Sequence, residues 1–283
     1  MEPTLEEIFG SYVAWQAVEG TWFINFMNGS QNLYLLEGEE KALLIDTGYA
    51  VGNLRAFVEK LTDKPIVVAN THFHPDHSGG NGEFEEVMVH WNYKVDEPSV
   101  TTPGAGPFPI EALPHPDYKK VLLREGDVID LGGRTIEVLE AKPAHCNSSV
   151  FFLDRAAGMV FAGDEFEAAQ TMLYDNSYNP DAPYVVRERL ENLRANAQRL
   201  LALEELNWVL PNHNGFPIAK SYLEDYVGLV NAIFAGTATV EDKLNHRFVE
   251  MDPKAPFLCR VRYGHCSIFI RKDEVMKVYG KGE

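Results

Sequence analysis

The segment from residue 71 to residue 80 constrains this chain more than any other part of it. It reads THFHPDHSGG and places three histidines and one aspartate within six consecutive positions. It directly follows the apolar run 66–69, which predicts a buried strand. Imidazole nitrogens and carboxylate oxygens are the ligands that a divalent cation such as zinc prefers. A polar turn rich in titratable groups is the alternative, but so dense a cluster of ligand-type side chains favours a metal site.

The backbone geometry of this segment makes its ligand-type side chains point in two directions. On an extended segment His72 and His74 point to the same side, because side chains alternate along a strand. Asp76 and His77 follow Pro75, which turns the chain, so they point elsewhere. One short loop is therefore suited to serve two metal ions that lie close together.

Composition limits the classes of partner. The chain has 283 residues, of which 45% are hydrophobic, enough for one large domain or a domain with an appendage. Its 25 basic and 42 acidic residues give a net charge of −17, which repels phosphate backbones and anionic lipid. We therefore expect a small-molecule substrate rather than nucleic acid or a membrane. An anionic substrate stays possible, because a metal pair makes its own surroundings positive.

The termini and the cysteines predict a cytoplasmic protein. Residues 1–7 contain neither a basic region nor an apolar region of the kind that begins a signal peptide. The apolar runs are all shorter than the roughly 20 residues that a membrane span needs. Cys146, Cys259 and Cys266 are a sparse and odd-numbered set, which fits a reducing compartment better than a disulfide framework.

Hydrophobic periodicity predicts short strands alternating with helices in both halves of the chain, which suggests two similar layers packed face to face. A stretch rich in proline and glycine at 98–117 predicts a long loop, either a lid or binding loop or an ordinary surface excursion. The predicted strands are 22–27, 33–36, 42–45, 66–69, 87–90, 128–131, 135–139, 150–153, 159–161, 208–210, 257–262 and 267–270, and the predicted helices are 53–61, 185–203 and 222–234. A turn signal at Asn28 and Gly29 predicts that strands 22–27 and 33–36 pair. Turn signals at 132–133, 154–158 and 263–266 likewise predict three hairpins, each formed by the two strands that flank the turn.

Four further ligand-type residues each come just after a predicted strand. They are Asp46, His145, Asp164 and His213. A scaffold of strand ends is stiff enough to hold a preorganised metal site. Each residue alone is weak support, since a single histidine or aspartate after a strand is more often structural. Their joint occurrence is what favours a shared site.

In these motifs the chain resembles the metallo-β-lactamase-fold hydrolases, the superfamily that includes glyoxalase II and lactonases. Residues 71–80 match its HxHxDH signature, 45–48 match its Asp-Thr-Gly turn, 161–164 match its bridging-aspartate motif, and His213 matches its last histidine. The resemblance extends from about Trp22 to Gly215. It implies an α/β fold, a four-layer αβ/βα sandwich with the metals at one sheet edge. It also implies a catalytic domain at 1–218 and, at 219–283, a helix-plus-hairpin appendage that shapes the pocket or a homodimer interface.

The resemblance also assigns roles to individual residues. Asp164 would bridge two metal ions, and Asp46 would hold a ligand histidine by a hydrogen bond. Asp76, besides binding metal, would orient the attacking water or pass on its proton, so Asp76 and Asp46 are the catalytic candidates. The implied ligands are His72, His74 and His145 for the first metal, and Asp76, His77 and His213 for the second.

One segment departs from the family pattern. Where the family usually has His-Thr-Pro-Gly-Ser, residues 145–149 read HCNSS, so the proline and the glycine are absent. Cys146 is either a thiol close to the metal or a small buried filler, and the filler is favoured. Asn147 could donate to a developing oxyanion.

The function implied is hydrolysis of a small ester, thioester or lactone by a hydroxide that bridges two divalent cations. Zinc is the first expectation for the metal, with iron or manganese as alternatives. Other hypotheses stay open. They are a mononuclear iron oxidoreductase like the persulfide dioxygenases, a phosphodiesterase, and a non-catalytic binding protein on the same fold.

Overall fold

The computed structural model describes residues 12–26, 31–49, 53–93, 118–173, 185–215, 217–242 and 258–282. The predicted loop at 98–117 and the predicted turn at Asn28 and Gly29 lie outside these ranges. Within them two sheets pack face to face, and helices cover the outer face of each sheet. This arrangement confirms the four-layer sandwich.

The first sheet has seven strands that lie side by side in chain order. The first four strands are antiparallel, and from the fourth strand onward the neighbours are parallel. The predicted pairing of the second and third strands is confirmed, with Phe23 opposite Tyr34. The strands are β1 (Val13–Val18), β2 (Thr21–Phe26), β3 (Gln31–Glu37), β4 (Ala42–Ile45), β5 (Ile66–Ala69), β6 (Glu86–His90) and β7 (Lys119–Leu123).

The second sheet has the order β14-β13-β11-β10-β9-β8. Both predicted hairpins are confirmed, since β8 pairs with β9 and β10 with β11, each antiparallel. Strands β11 and β13 are parallel, so the residues that follow them meet at one edge. The strands are β8 (Val128–Asp130), β9 (Thr135–Glu140), β10 (Val150–Asp154), β11 (Met159–Gly163), β13 (Trp208–Pro211) and β14 (Ile218–Ala219).

A third, four-stranded sheet joins the C-terminal residues to the middle of the chain. Its order is β12-β17-β16-β15, and the two-residue strand β12 comes from the middle of the chain. The predicted C-terminal hairpin is the pair β16 and β17. The strands are β12 (Thr171–Met172), β15 (Thr239–Glu241), β16 (Leu258–Tyr263) and β17 (Cys266–Arg271).

Among the described residues, three apolar clusters hold the layers together. One lies between the two large sheets and includes Tyr34, Phe152 and Phe161. A second packs the first sheet against its short helix, and the third packs the second sheet against two long helices and the C-terminal sheet. The helices are α1 (Leu54–Val58), α2 (Pro75–Ser78), α3 (Val186–Leu201), α4 (Tyr222–Ala235) and α5 (Lys272–Val275), and a 3-10 helix spans Gly79–Glu83.

Residues C-terminal to 218 share the third cluster with α3, since Leu229 and Ile268 pack in the same core as Leu193. The domain boundary at residue 218 stays a prediction. No helix within the described ranges is long and apolar enough to cross a membrane.

Candidate metal centre

The loops that follow β4, β5, β11 and β13, together with the loop between β9 and β10, converge at one edge of the sandwich. They bring all of the predicted ligands together in two groups whose ligand atoms lie within 4.8 Å of one another, with Asp164 common to both. The first group is His72, His74, His145 and Asp164, and the second is Asp76, His77, Asp164 and His213.

Three imidazole nitrogens meet in the first group. His74 Nδ1 lies 3.0 Å from His72 Nε2 and 3.1 Å from His145 Nε2. Because zinc–nitrogen bonds are about 2.0–2.1 Å long, nitrogens at these separations can surround one ion. His72 Nδ1 lies 3.0 Å from Thr71 Oγ1, and His145 Nδ1 donates to Met172 O at 2.8 Å. These outer contacts leave both Nε2 lone pairs facing the centre.

The second group is built around a carboxylate of the same loop. Asp76 Oδ2 lies 3.0 Å from His213 Nε2 and 3.5 Å from His77 Nε2. His77 is fully buried, whereas the Asp76 side chain is 18% exposed. Asp76 is therefore the ligand candidate of this pair that solvent or substrate can reach.

Asp164 lies between the two groups. Its Oδ2 is 3.3 Å from His77 Nε2, and 3.6 Å from both His145 Nε2 and His213 Nε2. The preceding Gly163 has φ +57, and a Cβ at this position would lie 2.8 Å from Thr71 Oγ1. A glycine is therefore needed there to bring the aspartate close to the histidine loop.

Asp46 lies behind the ligands and holds them in place. It is fully buried. Its carboxylate accepts hydrogen bonds from Thr71 N and Thr71 Oγ1 at 2.7 Å, from Asn212 Nδ2 at 2.8 Å and from His77 Nδ1 at 2.9 Å. The last bond leaves His77 Nε2 to face the centre. Asp46 thus acts through His77, as a positioning residue.

The donor set fits divalent cations. Five imidazoles and two carboxylates converge, the nitrogen and oxygen ligands that such ions take. Among the described residues the buried Asp164 Oδ1 has no hydrogen-bond donor. A buried acceptor without a partner costs free energy, and a bound cation would remove that cost. The cluster is therefore suited to bind divalent cations.

The two groups differ in protonation when no metal is bound. Burial and the neighbouring histidines lower the pKa of His72 well below its usual range, and burial lowers the pKa of His74 to about 3. In the second group burial opposes protonation, but Asp164 and Asp76 raise the pKa of His213 to about 10. The pKa of His77 is also raised well above its usual range. At neutral pH the three histidines of the first group are therefore neutral, whereas His77 and His213 in the second group carry protons.

Metal binding should therefore release protons only at the second site. The first equivalent of metal is expected to release almost no protons, and the second about two, one each from His77 and His213. Because these pKa values are raised, the competing protons are fully present at pH 7. The proton on His213 is lost as the pH rises towards about 10, so the affinity of the second site should increase over that interval.

Calorimetric titration in two buffers of different ionisation enthalpy measures the number of protons. The first equivalent serves as the internal control. Equal proton release by both equivalents would contradict the asymmetry between the groups.

Several residues near the centre carry no strong sequence signal. Burial raises the pKa of Glu165 to about 7, and the amide of His145 is among its hydrogen-bond donors. Asn214 Nδ2 donates to the buried carboxylate of Glu167. Asn212 and Asn214 flank His213, and this adjacency is the sequence feature that connects them with the metal centre. Both glutamates follow the bridging-aspartate motif, but their contacts form only in the folded chain.

Cys146 and Asn147, which stand where the family pattern differs, and His90 all make contacts outside the two ligand groups. Cys146 is buried in an apolar cluster, its Sγ lies 3.4 Å from Ser148 Oγ, and burial raises the pKa of its thiol. It is outside both ligand groups, which agrees with the filler interpretation. Asn147 Oδ1 accepts from Arg189 Nη2 at 3.1 Å. His90 also lies outside both groups, and its Nδ1 accepts from Asn92 N at 3.1 Å.

Comparison with known proteins gives concordant matches. A sequence model described as the metallo-beta-lactamase superfamily matches residues 27–205. The chain is 28% identical over 216 residues to acyl-coenzyme A thioesterase MBLAC2 of Homo sapiens, covering 64% of this chain and 72% of that protein. It is 30% identical over 222 residues to the Gallus gallus protein of the same name, covering 68% of this chain and 75% of that one.

Two further matches carry other names. Coenzyme F420H(2) oxidase of Methanocaldococcus jannaschii is 29% identical over 195 residues, covering 62% of this chain and 44% of that protein. A metallo-beta-lactamase from Pontibacter korlensis superposes with a TM-score of 0.57 at 18% identity, covering 78% of this chain and 99% of that structure. The second match supports the fold alone.

Proposed function

The chain belongs to the metallo-beta-lactamase superfamily, and on that basis we propose that it is a dinuclear-metal hydrolase whose substrates are acyl-coenzyme A thioesters. One observation carries the proposal: both ligand groups are complete, and Asp164 Oδ2 lies between them, 3.3 Å from His77 Nε2 and 3.6 Å from His145 Nε2. The thioester class is supported by the relatives named acyl-coenzyme A thioesterase.

When bound, two divalent cations supply an acidified water as nucleophile and polarise the carbonyl oxygen that it attacks. Zinc fits the histidine-rich donor set best. Asp164 would be shared by both ions. The remaining ligands would be His72, His74 and His145 for the first ion, and Asp76, His77 and His213 for the second.

The chain's own residues orient the reacting groups. Asp46 fixes the ring of His77 through the 2.9 Å bond to Nδ1, and Met172 O does the same for His145. The partly exposed Asp76 carboxylate is placed to accept the proton of the attacking water and to pass it to the departing sulfur. A thiol of pKa about 8.5 leaves readily, so little further acid assistance is required.

Metal analysis and a matched substrate series test the proposal. Protein purified without added metal should contain about two zinc ions per chain. It should release thiol from acyl-coenzyme A, measured with a chromogenic thiol reagent, and a chelator should abolish this activity. An acyl-N-acetylcysteamine and a lactone of the same acyl length serve as controls for the coenzyme and for the thioester.

The match to coenzyme F420H(2) oxidase makes an oxidoreductase the second candidate. Iron as the only bound metal, with oxygen consumption and no thiol release, would favour that candidate. We further propose a cytoplasmic location, which the three buried free thiols support.

A further inference from the structure

Helix α3 carries four polar side chains that face the segment leading to His145. Residues 189, 192, 196 and 199 are spaced by three, four and three positions, so they share one face of the helix. The adjacent face is apolar and packs Leu190, Leu193 and Ala197 into the core. Because the apolar face is packed in the core, the polar face lies alongside the segment 140–147.

Each of these side chains binds the backbone of that segment, in antiparallel order, and we call the set the polar ladder. Its bonds are Arg199 Nη1 to Glu140 O at 2.9 Å, Asn196 Nδ2 to Lys142 O at 2.8 Å, Lys142 N to Asn196 Oδ1 at 2.9 Å, Asn192 Nδ2 to Pro143 O at 2.8 Å, and Arg189 Nη1 to Ala144 O at 2.6 Å and to His145 O at 3.4 Å.

The end of the ladder nearest the metal centre is also held from the opposite side. Glu165 is fully buried, and its Oε2 accepts from His145 N at 3.4 Å. Arg189 Nη2 donates to Asn147 Oδ1 at 3.1 Å. The N–H and C=O groups of His145 and the C=O group of Ala144 are therefore hydrogen-bonded to side chains rather than to strand neighbours.

We propose that the polar ladder positions His145 and thereby sets the affinity of the first metal site. The segment 145–149 lacks the proline and glycine that usually shape this loop in the family, so its rigidity must come from other contacts. The planar guanidinium of Arg189 donates hydrogen bonds to two backbone carbonyl oxygens and to one side-chain amide oxygen. The inference rests on the metal assignment of the proposed function and not on the substrate.

A graded series of ladder variants tests this. The measurement is the dissociation constant of the first metal equivalent on the full-length chain, by competition with a chromophoric chelator. Arg189→Gln should weaken that equivalent by about 10-fold or more, since the loss of an outer partner of a ligand costs about 10–100-fold in affinity. Arg199→Gln, at the far end of the ladder, should change it less than about 2-fold. Arg189→Lys should restore part of the loss.

Arg134 provides the matched control. Its guanidinium donates to Gly20 O at 2.6 Å and to Thr21 Oγ1 at 2.8 Å, so it also clamps backbone and side-chain oxygens, but it contacts none of the metal ligands. Arg134→Gln should lower thermal stability and leave the metal affinity unchanged. If Arg189→Gln does not fold, Asn192→Ala at the next rung should show the same direction of change.

Two outcomes would count against the inference in different ways. Equal first-equivalent affinity in the wild-type chain and in Arg189→Gln, with only stability lowered, would overturn the ladder's role and leave the proposed function standing. A wild-type chain that binds no metal would overturn the metal assignment together with the ladder.

Discussion

Replacement of Asp164 by asparagine is expected to lower kcat/KM for thioester hydrolysis by about 10³-fold or more and to reduce the metal content to about one ion per chain. Asp164 Oδ2 lies within 3.6 Å of His77 Nε2, His145 Nε2 and His213 Nε2, so it is the residue that we propose as the shared ligand. The neutral amide keeps the shape but removes the negative charge that two cations share. The charge stabilisation that a bound metal provides is several kcal/mol, and each 1.4 kcal/mol is about tenfold in rate.

Elemental analysis and steady-state kinetics on the same preparation measure both effects. Asp130→Asn is the matched control, because Asp130 lies at an exposed turn, where its Oδ1 accepts from Gly132 N at 2.9 Å. This control should retain full activity and metal content. An Asp164→Asn chain with two metals and wild-type activity would remove the shared-ligand assignment.

Replacement of Asp46 by asparagine should lower the free energy of unfolding by about 3 kcal/mol, because a buried charged acceptor of several hydrogen bonds is lost. It should also weaken the second metal site by about 10–100-fold. An amide places an NH₂ group where Asp46 now accepts from Thr71, His77 and Asn212. The backbone tolerates the change, since φ at this position is +63 and asparagine adopts that region readily.

Denaturant unfolding of the metal-free protein and chelator competition separate these two effects. Asp154→Asn is the control, because Asp154 is equally buried and pairs with Arg134 at 2.7 Å, but it lies outside the metal centre. The control should lose stability and keep its metal affinity. Wild-type affinity in Asp46→Asn would show that other groups orient His77.

Local patterns in the sequence were enough to predict most of the scaffold. The apolar runs at β4 and β5 match the observed strands to the residue, and the three hairpins follow from turn signals between alternating segments. Such signals depend only on neighbours a few positions apart. Strand β1 was missed because most of its side chains are exposed, and β12 was missed because it has only two residues.

The outer contacts of the ligands could not be predicted in the same way. The carbonyl that orients His145 belongs to Met172, a residue of β12, and β12 is held by its parallel pairing with β17, nearly 100 residues further along the chain. The contacts of Glu165 and of the polar ladder are likewise not predicted by any motif in the sequence. Most of their partners are backbone atoms, which any residue type supplies, so these contacts cannot be predicted from composition or spacing.

The kind of ligands could be predicted from the sequence alone, because ligand identity is a property of single residues. Histidines and aspartates at strand ends specify a centre for divalent cations wherever the fold brings them together. The arrangement of these ligands depends on how the chain folds. The fold sets which nitrogen of each imidazole faces the centre, places Asp164 between the two groups, and puts Asp46 behind His77. These are distances between segments far apart in the chain, and the order and register of the strands set them.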